Sequence, residues 1–435
     1  MSSFLFFLTV IAGFGVFAGL AVRSAFDAPF LFALHCVALM GIPPLLHMLG
    51  FSPSALYLQN FDREAANITL AFVLALFLLG TMAGYMAFRR APVGGFLFPD
   101  FNYARSRPMM MTGVVVLTLL GFIVVLAPLT ASGFNVIGAI AEIRQGGFFF
   151  GGLNFVRQFL FFGSMISGAF LVSLLRERKD GYPVSRMMTR CTFMLFIANI
   201  LMSTLLGGKA FVIFPLAATL LAYEVCVRGR GFRRIVLILS LLAALVAGMQ
   251  FFRSNYVFKT QDSTAEQVYT GLYFIVYDTS LLYVEGHNKR WFTETGEDFK
   301  NAFILLVPRI FWPGKPEAQL TAGNRFAAQI APDRDNPGGK PPYGFAQWYV
   351  NFGWFGVLLG GMLTGWILAL LQDKYRDFTT NPFSFVIMFH AVFLLLGPWP
   401  GGLHNTSFLN YALYIFPLFI FKFLTRRKLY NFPNK

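Results

Sequence analysis

Residues 109–131 read MMMTGVVVLTLLGFIVVLAPLTA, a run of 23 residues without a charged side chain. A helix needs about 20 consecutive apolar residues to cross the hydrocarbon core of a bilayer. Similar runs recur along the chain and predict spans at about 3–22, 29–50, 67–88, 109–131, 153–175, 191–207, 210–227, 235–252, 352–371, 382–400 and 406–424. The sequence therefore predicts an all-α, polytopic membrane protein with about 11–13 transmembrane helices.

The composition of the 435 residues excludes a water-soluble protein. Residues of the set AVILMFWYC make up 56% of the chain and charged residues only 13%, whereas soluble domains average about half apolar and about a quarter charged. The 35 Lys and Arg against 20 Asp and Glu give a net charge of +15. Such an excess of cations indicates either binding to nucleic acid or basic cytoplasmic loops in a membrane protein.

The distribution of charge between the loops decides between these two interpretations. If the C-terminus is cytoplasmic, the inner loops and helix ends carry 21 of the 35 cations and seven of the 20 anions. The outer side is left with 14 cations and 13 anions, so nearly all of the excess lies inside. Short cytoplasmic loops are typically rich in Lys and Arg. The basic charge therefore predicts the topology, and we expect no nucleic-acid partner.

The predicted spans divide the chain into three parts. Residues 1–252 form an N-terminal bundle of about eight spans, residues 253–350 form a large outer loop, and residues 351–435 form the C-terminal helices with a basic cytoplasmic tail. Two apolar patches in the loop, 267–284 and 299–312, are re-entrant, interfacial or a further pair of spans. A further pair would leave the orientation unchanged.

Two small-residue patterns within the spans suit close contacts between helices. They are Gly15-x-x-x-Gly19 and Gly361-x-x-x-Gly365. Glycines four residues apart lie on one helix face and let two backbones approach closely. Because such patterns are common in membrane helices, they do not by themselves identify the partner helix.

Several cations on the predicted outer side stand at the boundaries of apolar runs. A single cation there either extends to lipid head groups or binds an anion. Several on one side, against the usual charge distribution, predict an anion site just above the bilayer. Guanidinium groups bind phosphate through two hydrogen bonds, and several together would hold a diphosphate. The candidate diphosphate-binding residues are Arg309, Arg144, Arg157, Arg253, Lys209 and Lys315.

The sharpest local motif is the run Val307-Pro308-Arg309-Ile310-Phe311-Trp312-Pro313-Gly314-Lys315-Pro316. Its three prolines each fix φ and stiffen the backbone, and tryptophan is typical of the membrane interface. Arg309 and Lys315 would then project from a rigid segment at the level of the lipid head groups. The alternative is a proline-rich helix exit with a tryptophan anchor.

The candidate catalytic residues are Asp278, Glu142 and His404. Asp278 interrupts an apolar and aromatic stretch, where an unpaired carboxylate is costly and is therefore usually paired or functional. Each carboxylate is either a general base for a sugar hydroxyl or a partner for an arginine. Three other histidines lie in predicted helices and are interpreted as packing or hydrogen-bonding residues: His35, His47 and His390.

The sequence offers no motif for a metal, a cofactor or a nucleotide. We find no HExxH, Walker A or GxSxG motif, and no His and Cys cluster with the spacing of metal ligands. The three cysteines all lie in apolar runs, without CxxC spacing. We therefore predict no metal site, no cofactor and no disulfide framework.

The run from Pro308 to Pro316 resembles the Pro-Arg-x-x-Trp-Pro-x-Lys-Pro signature of Wzy-type oligosaccharide repeat-unit polymerases, such as O-antigen polymerases. The wider plan is similar too, with about eleven spans and a large outer loop late in the chain. The resemblance implies a GT-C-like fold in the bacterial inner membrane, with a periplasmic loop over residues 253–350. The partners that it implies are undecaprenyl-diphosphate-linked oligosaccharides, as substrates, and a membrane protein that regulates the chain length.

The function that this resemblance implies is the polymerisation of lipid-linked repeat units at the periplasmic face. The reaction would be an inverting, metal-independent glycosyl transfer, in which the growing chain is the donor and its undecaprenyl diphosphate leaves. One alternative is an O-antigen ligase, which shares the topology and the donor but transfers to the lipid A core. A second alternative is a transporter of lipid-linked oligosaccharides, for which inverted repeats and charges at the bilayer midplane would be typical.

Overall fold

The computed structural model describes residues 1–51, 62–89, 97–99, 107–136, 139, 158–205, 209–229, 231–252, 255, 269, 274–288, 296–306, 312–314, 342–396, 407 and 411–425. All regular secondary structure in these residues is helical. The helices are α1 Ser2–Ala21, α2 Ala28–Met48, α3 Arg63–Phe88, α4 Arg107–Ala131, α5 Gln158–Lys179, α6 Arg186–Leu205, α7 Lys209–Ala222, α8 Phe232–Phe252, α9 Ile275–Asn288, α10 Glu297–Leu306, α11 Gly344–Lys374, α12 Pro382–Ala391 and α13 Phe416–Thr425. Short π-helices extend α7 over Tyr223–Arg228 and α12 over Val392–Leu396, and Tyr411–Ile415 precedes α13.

Within the described residues, nine helices are long and apolar enough to cross a membrane, namely α1 to α6, α7 together with its π-helical extension to Arg228, α8 and α11. They coincide with nine of the eleven predicted spans, so the prediction of an all-α, multi-pass membrane protein is confirmed. The other two predicted spans, 382–400 and 406–424, correspond in the described residues to shorter helices.

The first three helices define the two ends of the bundle. The Met1 amino nitrogen lies 3.9 Å from Glu64 Oε1, and Asn67 donates a hydrogen bond of 3.4 Å to the Ser3 hydroxyl. Helices α1 and α3 therefore begin side by side, and α2, which runs the opposite way, ends beside them at Met48. We call this the N-terminal end of the bundle.

The opposite end, which we call the basic end, carries the cations that flank the helices. Arg107 at the start of α4 pairs with Glu177 near the end of α5 at 2.7 Å. Arg176 and Lys179 donate to backbone carbonyls at the end of the π-helix that follows α7. Cations at a helix C-terminus satisfy free carbonyls and complement the helix dipole.

Buried polar contacts close the basic end around Asp27. Its carboxylate caps α2 by accepting from the Phe30 backbone N–H at 2.9 Å. The same carboxylate accepts from the Arg23 N–H at 2.8 Å and from Gln372 Nε2, also at 2.8 Å. Because Gln372 belongs to α11, this network fixes the end of α11 to the turn between α1 and α2. It is a helix cap with its partners satisfied, and we assign it a structural role.

Helices α3 and α11 pack at backbone-to-backbone distance along a seam of glycines. A Cβ atom added at Gly84 would lie 2.1 Å from the Met362 carbonyl oxygen, and one at Gly361 would lie 2.3 Å from the Phe77 carbonyl oxygen. The predicted close contact of the Gly361-x-x-x-Gly365 pattern is thus confirmed, with α3 as its partner. The Gly15-x-x-x-Gly19 pattern makes no such contact within the described residues, none of which lies within 4 Å of a Cβ at either position.

The first part of α11 folds back along its second part. The helix breaks at Gly353, where φ is 64° and ψ is −156°, a conformation that only glycine adopts without strain. Before the break, Phe345 lies with its ring centroid 5.8 Å from that of Phe77, about 20 Å along α3 from its beginning. The Trp348 ring covers Gly360 of the second part. Residues 344–352 therefore form a short helix that penetrates the bundle from the N-terminal end.

A proline in α2, Pro43, creates the acceptor that anchors this penetrating segment. Pro43 has no N–H to donate to the Leu39 carbonyl, which lies four residues earlier in the helix. The Tyr343 hydroxyl supplies the missing hydrogen bond at 3.0 Å, and the Tyr343 N–H donates to the Ser280 hydroxyl at 2.7 Å. The segment thus replaces a bond that the α2 backbone cannot make itself.

Replacing Tyr343 with phenylalanine is expected to lower the free energy of unfolding by about 1 kcal/mol, because the Leu39 carbonyl loses its donor in a buried place. The thermal unfolding of the detergent-solubilised protein measures this loss. Tyr182→Phe is the control, since that side chain is 61% exposed. Equal unfolding temperatures for the two variants would contradict a stabilising hydrogen bond from Tyr343 to the Leu39 carbonyl, which Pro43 leaves without a helical donor.

Helices α9 and α10 bear on the question left open for the outer loop. Their described parts have 14 and 10 residues and extend over about 21 and 15 Å, less than a hydrocarbon core of about 30 Å. Residues 276–286 of α9 are buried throughout. Non-helical or short segments enter a bilayer only where protein surrounds them. Helix α9 is therefore a buried element at the N-terminal end, packed against α2, α3 and α11.

Candidate functional site

A buried polar cluster lies where α9 meets the end of α2. Asp278 in the first turn of α9 is 2% exposed, and its Oδ1 lies 3.1 Å from Nε2 of His47. Its Oδ2 accepts a hydrogen bond of 2.7 Å from the Tyr269 hydroxyl. The same hydroxyl oxygen lies 3.4 Å from His47 Nε2. We call these three residues the Asp278 cluster.

The end of α2 fixes the position of His47. Gly50 has φ of 86°, which glycine adopts without penalty and which ends the helix. The Gly50 N–H donates to the His47 carbonyl at 3.1 Å and the Phe51 N–H donates to the Leu46 carbonyl at 3.0 Å. This pair of bonds is a Schellman motif. It holds the His47 backbone in a defined last turn, facing α9.

A second set of contacts ties α9 to α1 and α3. The Tyr277 hydroxyl donates to Asn67 Oδ1, and Asn67 in turn donates to Ser3. The Tyr277 ring also packs edge-on against His47, with centroids 5.3 Å apart. All these partners lie at helix ends, so the Asp278 cluster belongs to the N-terminal end of the bundle.

Burial keeps Tyr269 of the cluster and the neighbouring Tyr277 protonated. Burial first, and then the charge of Asp278, raises the pKa of Tyr269 far above its usual value. Burial likewise raises the pKa of Tyr277. Both phenols are therefore hydrogen-bond donors at neutral pH.

The free ring nitrogen of His47 distinguishes the cluster from a plain ion pair. Nδ1 of His47 is buried and has no hydrogen-bond partner among the residues that the structure describes. A buried polar atom without a partner costs about 1–3 kcal/mol. Asp278 Oδ1 likewise has no hydrogen-bond partner among the described residues, and buried atoms of this kind require an explanation, of which a catalytic role is one. The arrangement can therefore accept a proton on Nδ1.

The structure brings together one of the predicted site residues with a residue that the sequence did not identify. Asp278 was expected to be paired or functional, and it is paired with His47 and Tyr269. His47 was interpreted only as a packing or hydrogen-bonding residue. Its position in the last turn of a predicted span, on the same predicted side as Asp278, was the one available signal.

The other predicted site residues cannot be compared with this geometry. Lys209 begins α7, and only its backbone is described. Of the proline-rich run 307–316, the structure describes residues 312–314, with the Trp312 side chain 39% exposed. The remaining predicted site residues lie outside the described residues: Glu142, Arg144, Arg157, Arg253, Arg309, Lys315 and His404.

The described side chains form no metal centre. Among them, no three His, Cys, Asp or Glu residues come close enough together to hold a metal ion. The three cysteines, Cys36, Cys191 and Cys226, form no disulfide bond.

Comparisons with known proteins leave the family of this chain open. No protein-family model matches the chain, and no curated protein or solved structure matches it either. The sequence patterns and the Asp278 cluster are therefore the features of this chain that indicate a function.

Proposed function

We propose that this chain is a glycosyltransferase that polymerises undecaprenyl-diphosphate-linked oligosaccharide repeat units at the outer face of a membrane. The observation that carries the proposal is the buried Asp278 cluster at the N-terminal end of the bundle, opposite the basic end. A proton acceptor at a membrane surface is what the transfer of a sugar to a hydroxyl requires.

The charge distribution supports an outward orientation for the Asp278 cluster. The described cations that flank the helices at the basic end include Arg23, Arg89, Arg107, Arg176, Arg178, Lys179, Arg186, Arg190, Arg228, Arg233, Arg234, Lys374 and Arg376. Loops rich in Lys and Arg stay in the cytoplasm. The N-terminal end then faces the periplasm, where lipid-linked oligosaccharides are presented for polymerisation.

The proline-rich run supports the assignment of the donor. In the proposal, Arg309 and Arg144 bind the diphosphate, and Arg157, Arg253, Lys209 and Lys315 make further contacts. A guanidinium group near lipid acts in a low dielectric, where each contact with the departing diphosphate is worth more than in water. No metal ion is needed in this scheme, because the cations neutralise the charge that develops on the leaving group.

The remaining features of the proposal follow from the resemblance to the Wzy-type polymerases. They are a GT-C-like arrangement of helices, a periplasmic loop over residues 253–350 and a location in the bacterial inner membrane. A separate membrane protein would regulate the chain length. In this scheme α9 is the part of the loop that carries Asp278 to the end of α2.

Reconstitution tests the proposed function directly. The purified chain in liposomes is supplied with lipid-linked oligosaccharide extracted from the membranes of cells that lack the chain. The expected result is a ladder of lipid-linked polymers without ATP or an ion gradient, because cleavage of the sugar–diphosphate bond drives the reaction. Liposomes without the chain are the control.

Two outcomes would contradict the proposal. Transport of unpolymerised oligosaccharide across the liposome membrane, without a ladder, would favour a transporter. In a second set of liposomes that also contains preformed lipid-linked polymer and lipid A core, transfer of that polymer to the core without a ladder would favour a ligase.

A further inference from the structure

We propose that His47 is the catalytic proton acceptor of this transferase and that Asp278 and Tyr269 are positioning residues that orient it. The inference rests on the proposed function and assigns a different residue to the role of base that the sequence suggested for Asp278. It is carried by the contacts of the two ring nitrogens of His47.

The contacts of Asp278 keep its carboxylate inside the cluster. Oδ2 accepts from Tyr269 at 2.7 Å. Oδ1 has no hydrogen bond among the described residues, but it faces the His47 ring, 3.1 Å from Nε2, and the side chain is 2% exposed. A general base must lie within hydrogen-bond distance of the proton that it removes. Asp278 would have to leave both partners to reach a sugar hydroxyl.

The same contacts determine which ring nitrogen of His47 carries hydrogen in the neutral imidazole. Nε2 lies 3.1 Å from a carboxylate oxygen and 3.4 Å from the Tyr269 hydroxyl oxygen. The Tyr269 hydrogen is already donated to Asp278, so both neighbours of Nε2 are acceptors. The hydrogen therefore resides on Nε2, and Nδ1 carries a lone pair. Nδ1 is the atom without a partner among the described residues.

The proposed step transfers one proton to this lone pair. The hydroxyl oxygen of the incoming unit forms a bond to the anomeric carbon of the growing chain, and the bond from that carbon to the diphosphate oxygen breaks. The electron pair of the broken bond leaves with undecaprenyl diphosphate. The hydroxyl proton moves to Nδ1 of His47, and the negative charge of Asp278, whose Oδ1 lies 3.1 Å from Nε2, stabilises the resulting imidazolium.

The surroundings of His47 contain the groups needed to hold that charge. The titratable groups described around the imidazole are Asp278 and Tyr277 from α9 and Tyr269. Asp278 contributes a negative charge, and the two tyrosines remain neutral donors. The His47 side chain is 4% exposed. The incoming sugar unit therefore has to displace part of the protein that covers His47 before the transfer, as substrates do in many enzymes with mobile loops.

A structural role for His47 makes a different prediction from a catalytic one. If His47 only holds α2 against α9, a substitution that keeps the contact between Nε2 and Asp278 should preserve the polymerisation rate. Glutamine provides such a residue, because its amide nitrogen reaches the position of Nε2 and donates a hydrogen there. Its side chain offers no basic atom at the position of Nδ1. His47→Gln therefore retains the tie and removes the base.

The experiment compares His47→Gln with the unmodified protein in liposomes supplied with lipid-linked oligosaccharide extracted from cells that lack the chain. The expected result is an unchanged unfolding temperature and a polymerisation rate lower by about 100- to 10,000-fold, the contribution of general base catalysis. The matched control is His287→Gln. His287 lies on the same helix and packs against Tyr349 at 4.7 Å, away from the Asp278 cluster, and its replacement should preserve the rate.

The possible results separate this inference from the proposed function. If His47→Gln makes the ladder at the normal rate, the catalytic role of His47 is overturned and the proposed function is not. The absence of a ladder from the unmodified protein overturns the proposed function and the inference together.

If His47→Gln does not fold, the kinetics of Tyr269→Phe test the inference instead. Its expected effect is a lower kcat, by up to the roughly 100-fold that misplacement of a catalytic group costs, with KM unchanged. An unchanged kcat overturns the inference.

Discussion

Replacing Gly84 with leucine is expected to abolish the folded bundle. A Cβ atom at this position would lie 2.1 Å from the Met362 carbonyl oxygen and 2.8 Å from the Met362 Cα. Both are backbone atoms of α11, so no change of rotamer relieves the clash. Overpacking of a tight interface costs typically about 1–3 kcal/mol and occasionally more, and a contact with a helix backbone is at the upper end. We expect the monodisperse fraction in detergent chromatography to disappear.

Gly19→Leu is the matched control for Gly84→Leu. Gly19 belongs to a pattern of the same form, but no atom of the described part of the chain lies within 4 Å of a Cβ there. The new side chain would point away from the described bundle, and the higher helix propensity of leucine favours α1. Equal yields of folded protein from Gly84→Leu and Gly19→Leu would contradict the described packing of α3 against α11.

The two glycine patterns show that the sequence does not predict which helix packs against a small-residue face. Gly15-x-x-x-Gly19 and Gly361-x-x-x-Gly365 are equivalent as patterns, but only the second lies at a helix contact within the described chain. The pattern states that one face of a helix permits close approach. It does not state which helix approaches, because that depends on the packing of residues distant in sequence.

The helical spans were predictable because the bilayer imposes a length. Nine of the predicted spans are long apolar helices in the structure. The prediction was less accurate near residue 344, where the sequence indicated a span beginning at about 352. The helix begins instead at Gly344 and turns at Gly353. Hydropathy measures the length of an apolar run, and it does not reveal that a run folds back on itself.

The Asp278 cluster was predictable in only one of its members. Asp278 was identifiable because a carboxylate in an apolar stretch requires a partner. His47 was not, because a histidine at the end of an apolar helix has no unusual pattern around it. Its role depends on the docking of α9 against α2, and the two residues are far apart in sequence. Such a pairing follows only from the tertiary structure.

Replacing Arg309 with alanine is expected to abolish long-chain polymer while the protein level stays unchanged. In the proposed reaction Arg309 binds the diphosphate that leaves, and removal of one group that stabilises developing charge costs about 100- to 1,000-fold in rate. The measurement is a gel of cell-surface lipopolysaccharide from cells that express the variant. Single repeat units should still cap the lipid A core, because ligation does not depend on this chain.

Arg325→Ala and Arg309→Lys give this prediction its controls. Arg325 lies in the same outer segment but outside the proline-rich run, so its replacement should leave the polymer length unchanged. Lysine at position 309 keeps the charge and loses the paired hydrogen bonds of guanidinium to phosphate. Arg309→Lys should therefore retain a small part of the activity. Polymer of normal length from Arg309→Ala would contradict the diphosphate site. Full activity of Arg309→Lys would show that the site requires only a positive charge at position 309. It would contradict paired hydrogen bonds from Arg309 to the phosphate, because lysine cannot replace them.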